Sequence, residues 1–130
     1  MTTATGTFEV KLEPQALSAP GQEAAIGRMS IDKQFRGDLE GTSKGEMLAA
    51  MTETKGSAGY VALERVTATL HGRGGSFVLQ HSGTMDRGTA TLTCTVVPDS
   101  GTGELAGLRG TFQIDTSGGG HAYSFAYELG

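Results

Sequence analysis

Thr89-Ala90-Thr91-Leu92-Thr93-Cys94-Thr95-Val96-Val97 is the stretch that decides the fold. Threonines occupy every second position and apolar residues fill the gaps. Only an extended strand sends alternate side chains to opposite faces, so this period of two predicts a half-buried β-strand. Ala90, Leu92, Cys94 and Val96 then face a core and the threonines face water. The same alternation recurs on either side. Phe8, Val10 and Leu12 alternate with Thr7, Glu9, Lys11 and Glu13, and Pro14 ends that run. Further strands are predicted over residues 25–35, with Met29, Ile31 and Phe35 on one face, and over 39–51, 60–70, 76–82, 105–115 and 121–129. Residues 46–52 also suit a helical turn, since Met, Leu and Ala favour helix. Residues 15–23 read as a loop and residues 1–6 as a flexible N-terminal tail.

Glycine makes up 21 of the 130 residues, against a usual ~7%. The glycines fall between the strand runs without a triplet period, which makes them turn residues. Arg36-Gly37-Asp38, Gly72-Arg73-Gly74-Gly75 and Ser117-Gly118-Gly119-Gly120 are the clearest turns. Eight short strands joined this way form an antiparallel meander in one domain spanning residues 1–130. A flat sheet of eight would leave two edges bare and one apolar face wet. Closing it into an all-β, eight-stranded, up-and-down barrel removes both problems. A two-sheet jelly roll is the alternative architecture.

Parity carries inward from the deciding stretch. With a turn near Met85-Asp86, His81 lies near Ala90, so Phe77, Leu79 and His81 face the interior. With the preceding turn at Arg73-Gly74, Val66 lies opposite His81 and Glu64 is its diagonal neighbour, within reach of long side chains. Tyr60, Ala62, Glu64, Val66, Ala68 and Leu70 then point in, while Val61, Leu63, Arg65 and His71 point out. Leu39, Gly41, Ser43, Gly45 and Met47 share the inner face of the third strand.

Candidate chemistry follows from that inner face. Glu64 and His81 pair a desolvated carboxyl with an imidazole, the groups suited to acid–base catalysis or to contact with a polar ligand group. Tyr60, Ser43, Tyr123, Tyr127, Phe77 and Cys94 are the candidate ligand-binding residues. The tyrosine hydroxyls suit a ligand carbonyl, and a Cys among Leu and Val suits packing. His71, His81 and His121 stand apart, with no His-x-His pair beside a carboxylate, so no metal site is expected. Gly72-Arg73-Gly74-Gly75 opens no helix and is a hairpin turn in preference to a phosphate loop. No Gly-x-Ser-x-Gly elbow is present.

Charge and composition exclude several classes. Ten basic against 14 acidic side chains leave a net charge of −4, which gives no footprint for nucleic acid or an anionic membrane. The single cysteine, Cys94, excludes an internal disulfide, multi-cysteine zinc sites and thiolate-held clusters. The start of the chain lacks a basic and apolar leader and no apolar run reaches ~18 residues, so a cytoplasmic protein is expected. No cofactor is implied.

Ser100-Gly101-Thr102-Gly103-Glu104-Leu105-Ala106-Gly107-Leu108-Arg109-Gly110 resembles the Gly-Thr-Gly strand segment of allene oxide cyclases and plant dirigent proteins, both eight-stranded barrels. Residues 60–66, 72–81 and 121–127 more closely resemble a family of small bacterial proteins with an allene-oxide-cyclase-like barrel, over about residues 8–129. The resemblance implies the barrel fold and a homo-oligomer, and it transfers no catalytic residue. The expected role is binding of a small, largely apolar molecule. The alternatives are a cyclase or isomerase using Glu64 and His81, and a filled barrel that acts through its outer face at Val61, Leu63 and Val78.

Overall fold

The computed structural model describes residues 1–129. Its eight strands are β1 (Thr2–Pro14), β2 (Gly27–Gly37), β3 (Leu39–Met51), β4 (Ala58–Leu70), β5 (Arg73–Asp86), β6 (Thr89–Val96), β7 (Leu108–Asp115) and β8 (His121–Leu129). They form a closed antiparallel barrel in chain order, so the up-and-down topology holds and the jelly roll does not. The alternation read from the sequence is the alternation of burial: along β4, Ala62, Glu64, Val66, Ala68 and Leu70 are buried and each residue between them is exposed.

The N-terminal tail expected over residues 1–6 is instead part of the wall. β1 starts at Thr2 and pairs with β8 from Thr2↔Tyr127 to Phe8↔His121. Closing the barrel gives the first strand a second partner, which a linear reading of local pattern does not supply. The 15–23 loop contains a short helix, α1 (Ala19–Glu23). Ser18 caps it by accepting from the Gly21 N–H (3.3 Å), and Pro20 sits in its first turn. Residues 46–51 stay in strand, because Met47 pairs with both Met29 and Ala62.

Both hairpin turns around β5 sit elsewhere than expected, so β5 is longer than the predicted 76–82. The β4–β5 turn is His71-Gly72 and the β5–β6 turn is Arg87-Gly88, each with positive φ at both residues. That is the turn whose twist matches a two-residue hairpin. His81 therefore lies opposite Cys94 and Ala62, not near Ala90 and Val66. The displacement is even, so every side chain keeps its predicted face.

The interior has a filled half and an open half. Phe35, Leu39, Leu70, Phe77, Phe112 and Phe125 pack the half nearest the β2–β3 and β4–β5 turns. Phe35 meets the rings of Phe8, Phe112 and Tyr123 at centroid distances of 5.6, 5.9 and 6.0 Å. The Gly-Thr-Gly segment does not begin a strand: it runs through a 3₁₀ turn (Gly103–Leu105) that drives Leu105 into this end as a buried plug. Gly75 makes that closure possible, since a Cβ there would lie 2.1 Å from the Thr102 carbonyl oxygen. At the other end, Ala90 and Leu92 keep their inward parity yet are exposed at the rim. Among the described residues, β6 and β7 form a single ladder pair, Thr95↔Thr111.

Candidate functional site

Between the two halves lies a buried polar layer. Lys33 on β2, Ser43 on β3, Glu64 on β4 and His81 on β5 are each at most 6% exposed. Lys33 and Ser43 are cross-strand partners, and Glu64 is diagonal to both Ser43 and His81. Gly45 lies directly opposite Glu64 and leaves room for it: a Cβ on Gly45 would stand 2.9 Å from the Glu64 Cβ. The carboxylate gathers three donors. Lys33 Nζ reaches Oε2 at 2.8 Å, His81 Nε2 reaches Oε2 at 2.6 Å, and Ser43 Oγ donates to Oε1 at 2.7 Å. Lys33 also lies 4.8 Å from the centroid of the Phe8 ring, a cation–π contact.

Burial alone would push the Glu64 carboxyl up. The His81 hydrogen bond, followed by the charge and hydrogen bond of Lys33, outweighs it and holds the group at about 2. Glu64 is therefore a fixed anion that orients its neighbours. Cys94 Sγ lies 3.5 Å from His81 Nε2. Burial, reinforced by the Glu64 charge and opposed by Lys33, pushes its thiol up to about 12. A neutral buried thiol is inert. Cys94 should resist iodoacetamide at about pH 8 in the native protein and react fully once urea unfolds it. Rapid native labelling, followed by mass, would show an accessible thiolate instead.

Above this layer the barrel opens into a cavity of about 380 Å³ bounded by Met47, Met51, Tyr60, Met85, Ala90 and Leu92. Tyr60 is two residues nearer the mouth than Ala62, on the inner face of β4 that carries Glu64. Its ring covers the inner side of Gly83, where a Cβ would stand 2.3 Å from Cε1. Burial, then Cys94 and Glu64, raise the Tyr60 hydroxyl, which stays protonated. It makes no hydrogen bond to a described residue.

The sequence-predicted residues thus divide. Glu64, His81, Ser43 and Cys94 come together, and Tyr60 stands at the mouth. Phe77, Tyr123 and Tyr127 belong to the filled half. Phe77 is stacked on Phe125 at 5.8 Å and is fully buried. The Tyr123 hydroxyl accepts from the Leu39 N–H (2.9 Å) and donates to the Arg36 carbonyl (3.0 Å), tying β8 to the β2–β3 turn. The Tyr127 hydroxyl bonds His71 Nδ1 at the β4–β5 turn. Lys33 went unread, although the face defined by Met29, Ile31 and Phe35 already contained it. Gly83 and Met85 lie beyond the predicted strand of residues 76–82, and the longer β5 carries both to the cavity. Among the described residues no group of His, Cys, Asp or Glu is arranged to hold a metal ion, and no helix is long and apolar enough to cross a membrane.

On the outer wall, Val61 and Leu63 are 53% and 55% exposed, and Leu48 stands beside Val61 in a second pocket, of about 820 Å³, that Arg28, Glu46, Ala62 and His81 also line. Val78 is half-buried.

A search of curated proteins finds no match. The chain is similar to a crystal structure described as a protein with unknown function from the DUF3224 family from Shewanella oneidensis MR-1. The two share 53% identity, with a TM-score of 0.93, over 100% of this chain and 98% of the other. The family model described as protein of unknown function (DUF3224) matches residues 4–127, almost the whole barrel. The chain belongs to the DUF3224 family.

Proposed function

We propose that the protein binds a small, largely apolar molecule in the mouth of the barrel. The observation that carries this reading is the division of the interior. One half is packed with aromatic rings, whereas the other is a cavity of about 380 Å³ with an apolar lining, a size and composition suited to a small ligand. The polar layer beneath gives the cavity a rigid floor, since its charges are already satisfied by one another. The resemblance to allene-oxide-cyclase-like and dirigent-like barrels supports the same reading.

A cyclase or isomerase would ask Glu64 and His81 to exchange protons with a substrate. A carboxylate held by three donors and titrating near 2 is a poor base at neutral pH, so the geometry favours binding over proton transfer. A homo-oligomer remains part of the proposal, with the exposed Leu48, Val61 and Leu63 as its contact, as does a cytoplasmic location, on the single buried thiol.

The neutral fluorophore N-phenyl-1-naphthylamine tests the cavity. The wild type should bind it with enhanced fluorescence. Ala90→Trp, at an exposed rim position, should weaken binding at least tenfold with an unchanged melting temperature. No binding to the wild type, or equal binding to both, would remove the mouth as a site.

A further inference from the structure

Three features of the mouth bear on what kind of molecule it accepts. First, among the described residues, no charged side chain lines the cavity. The nearest interior charges, Lys33 and Glu64, are paired at 2.8 Å in the layer beneath. An anionic ligand would lose its hydration and find no free cation, with the fixed Glu64 carboxylate below it. A cationic ligand would find no free carboxylate.

Second, three of the chain's five methionines, Met47, Met51 and Met85, border this one cavity. Thioethers are unbranched and polarisable. They adapt to irregular shapes and make favourable contacts with aromatic rings. Third, Tyr60 is fixed in place: Gly83 lacks the Cβ that would collide with the Cε1 edge of the ring, and the ring borders the cavity as its one aromatic surface among the described residues. Its hydroxyl is a protonated donor with no partner among the described residues, and the other side-chain hydroxyls on the lining are those of Thr84 and Thr91.

We infer that the mouth takes a neutral, flat aromatic or conjugated molecule bearing one hydrogen-bond acceptor, stacked on Tyr60 among the methionines, with the acceptor bound by the Tyr60 hydroxyl. This inference rests on the pocket proposed above and adds the chemical class of its occupant. It makes Tyr60 the residue that sets specificity, while Lys33, Glu64 and His81 hold the floor.

Three probes of nearly one shape separate the terms: 2-acetylnaphthalene, 2-isopropenylnaphthalene and 2-naphthoate. They present a carbonyl, a methylene and a carboxylate at the same place. Each is titrated against bound N-phenyl-1-naphthylamine, in the wild type and in Tyr60→Phe. That variant keeps the ring on Gly83 and loses only the hydroxyl, and thermal melting verifies its fold. The ketone should lose about tenfold in affinity in Tyr60→Phe, the scale of one hydrogen bond. The alkene should be unchanged, and the carboxylate should bind the wild type at least a hundredfold more weakly than the ketone. Equal losses for ketone and alkene would overturn the role of the hydroxyl. A carboxylate that competes as well as the ketone would overturn the requirement for neutrality. Failure of the fluorophore itself to bind would instead overturn the pocket.

Discussion

Glu64→Ala should destabilise the barrel by about 3–5 kcal/mol, the usual cost of leaving a buried charge without its partner. The substitution strands the Lys33 ammonium, and with it the ring nitrogen of His81 and the Ser43 hydroxyl, all in a layer at most 6% exposed. Against a typical total of about 5–15 kcal/mol, that is a large share of the stability. Equilibrium urea unfolding measures it. Removing the charges together should behave differently. In the double variant Lys33→Met with Glu64→Leu, no unpaired ion remains and apolar side chains occupy the space, so most of the lost stability should return. If the double variant is as unstable as the sum of its single changes, the pair is not acting as a unit.

The same group sets the acid limit of the fold. Glu64 titrates at about 2 in the barrel against an ordinary 4.5. Its stabilising contribution is therefore complete above pH 4.5 and disappears as the pH falls toward 2. Wild-type stability should decline through that window, and the decline should be much shallower in the Lys33→Met, Glu64→Leu variant.

Phe35→Ala is the second change with a large expected effect, about 3–5 kcal/mol by the usual behaviour of buried rings. Phe35 is fully buried and is the common neighbour of Phe8, Phe112 and Tyr123, which come from β1, β7 and β8. Its removal leaves a void among rings fixed on strands that are themselves laced into the wall, so relaxation into the space is limited. Thermal unfolding by circular dichroism should show the loss. Binding of N-phenyl-1-naphthylamine by the folded fraction should persist, because the ring lies in the filled half. Loss of binding with intact stability would place Phe35 in the ligand site instead.

Much of this was legible in the sequence, for one physical reason. A period of two survives any even error in register. Composition places the turns in the glycine run after Leu70 and near Met85, whereas the chain reverses at His71-Gly72 and Arg87-Gly88. Arg gives no sign of a left-handed backbone conformation and His a weaker one than the neighbouring glycines, so local composition points two residues away. Glu64 and His81 nevertheless kept their faces and their diagonal relation, and the structure brings them to 2.6 Å. Tyr123 and Tyr127 also kept their faces. What parity does not encode is depth along the barrel, and depth is what puts these two tyrosines at the plugged end and Tyr60 at the mouth. Lys33 was hidden by expectation: a cation on an apolar face reads as a surface residue until the carboxylate that receives it is known. The plug at Leu105 was masked in the same way, because the Gly-Thr-Gly run that forms it looks like the start of a strand.

The single ladder pair between β6 and β7 makes the barrel mechanically a rolled sheet fastened at one button. Every other neighbour is laced over much of its length, including the two strands that carry the chain ends. Separating β6 from β7 beside the mouth breaks few backbone hydrogen bonds, so the free-energy cost of opening is lowest along this line. Elasticity is thus distributed unevenly around the circumference, stiff across β3, β4 and β5 where the charged layer is anchored, and compliant along the side where Ala90 and Leu92 border the cavity.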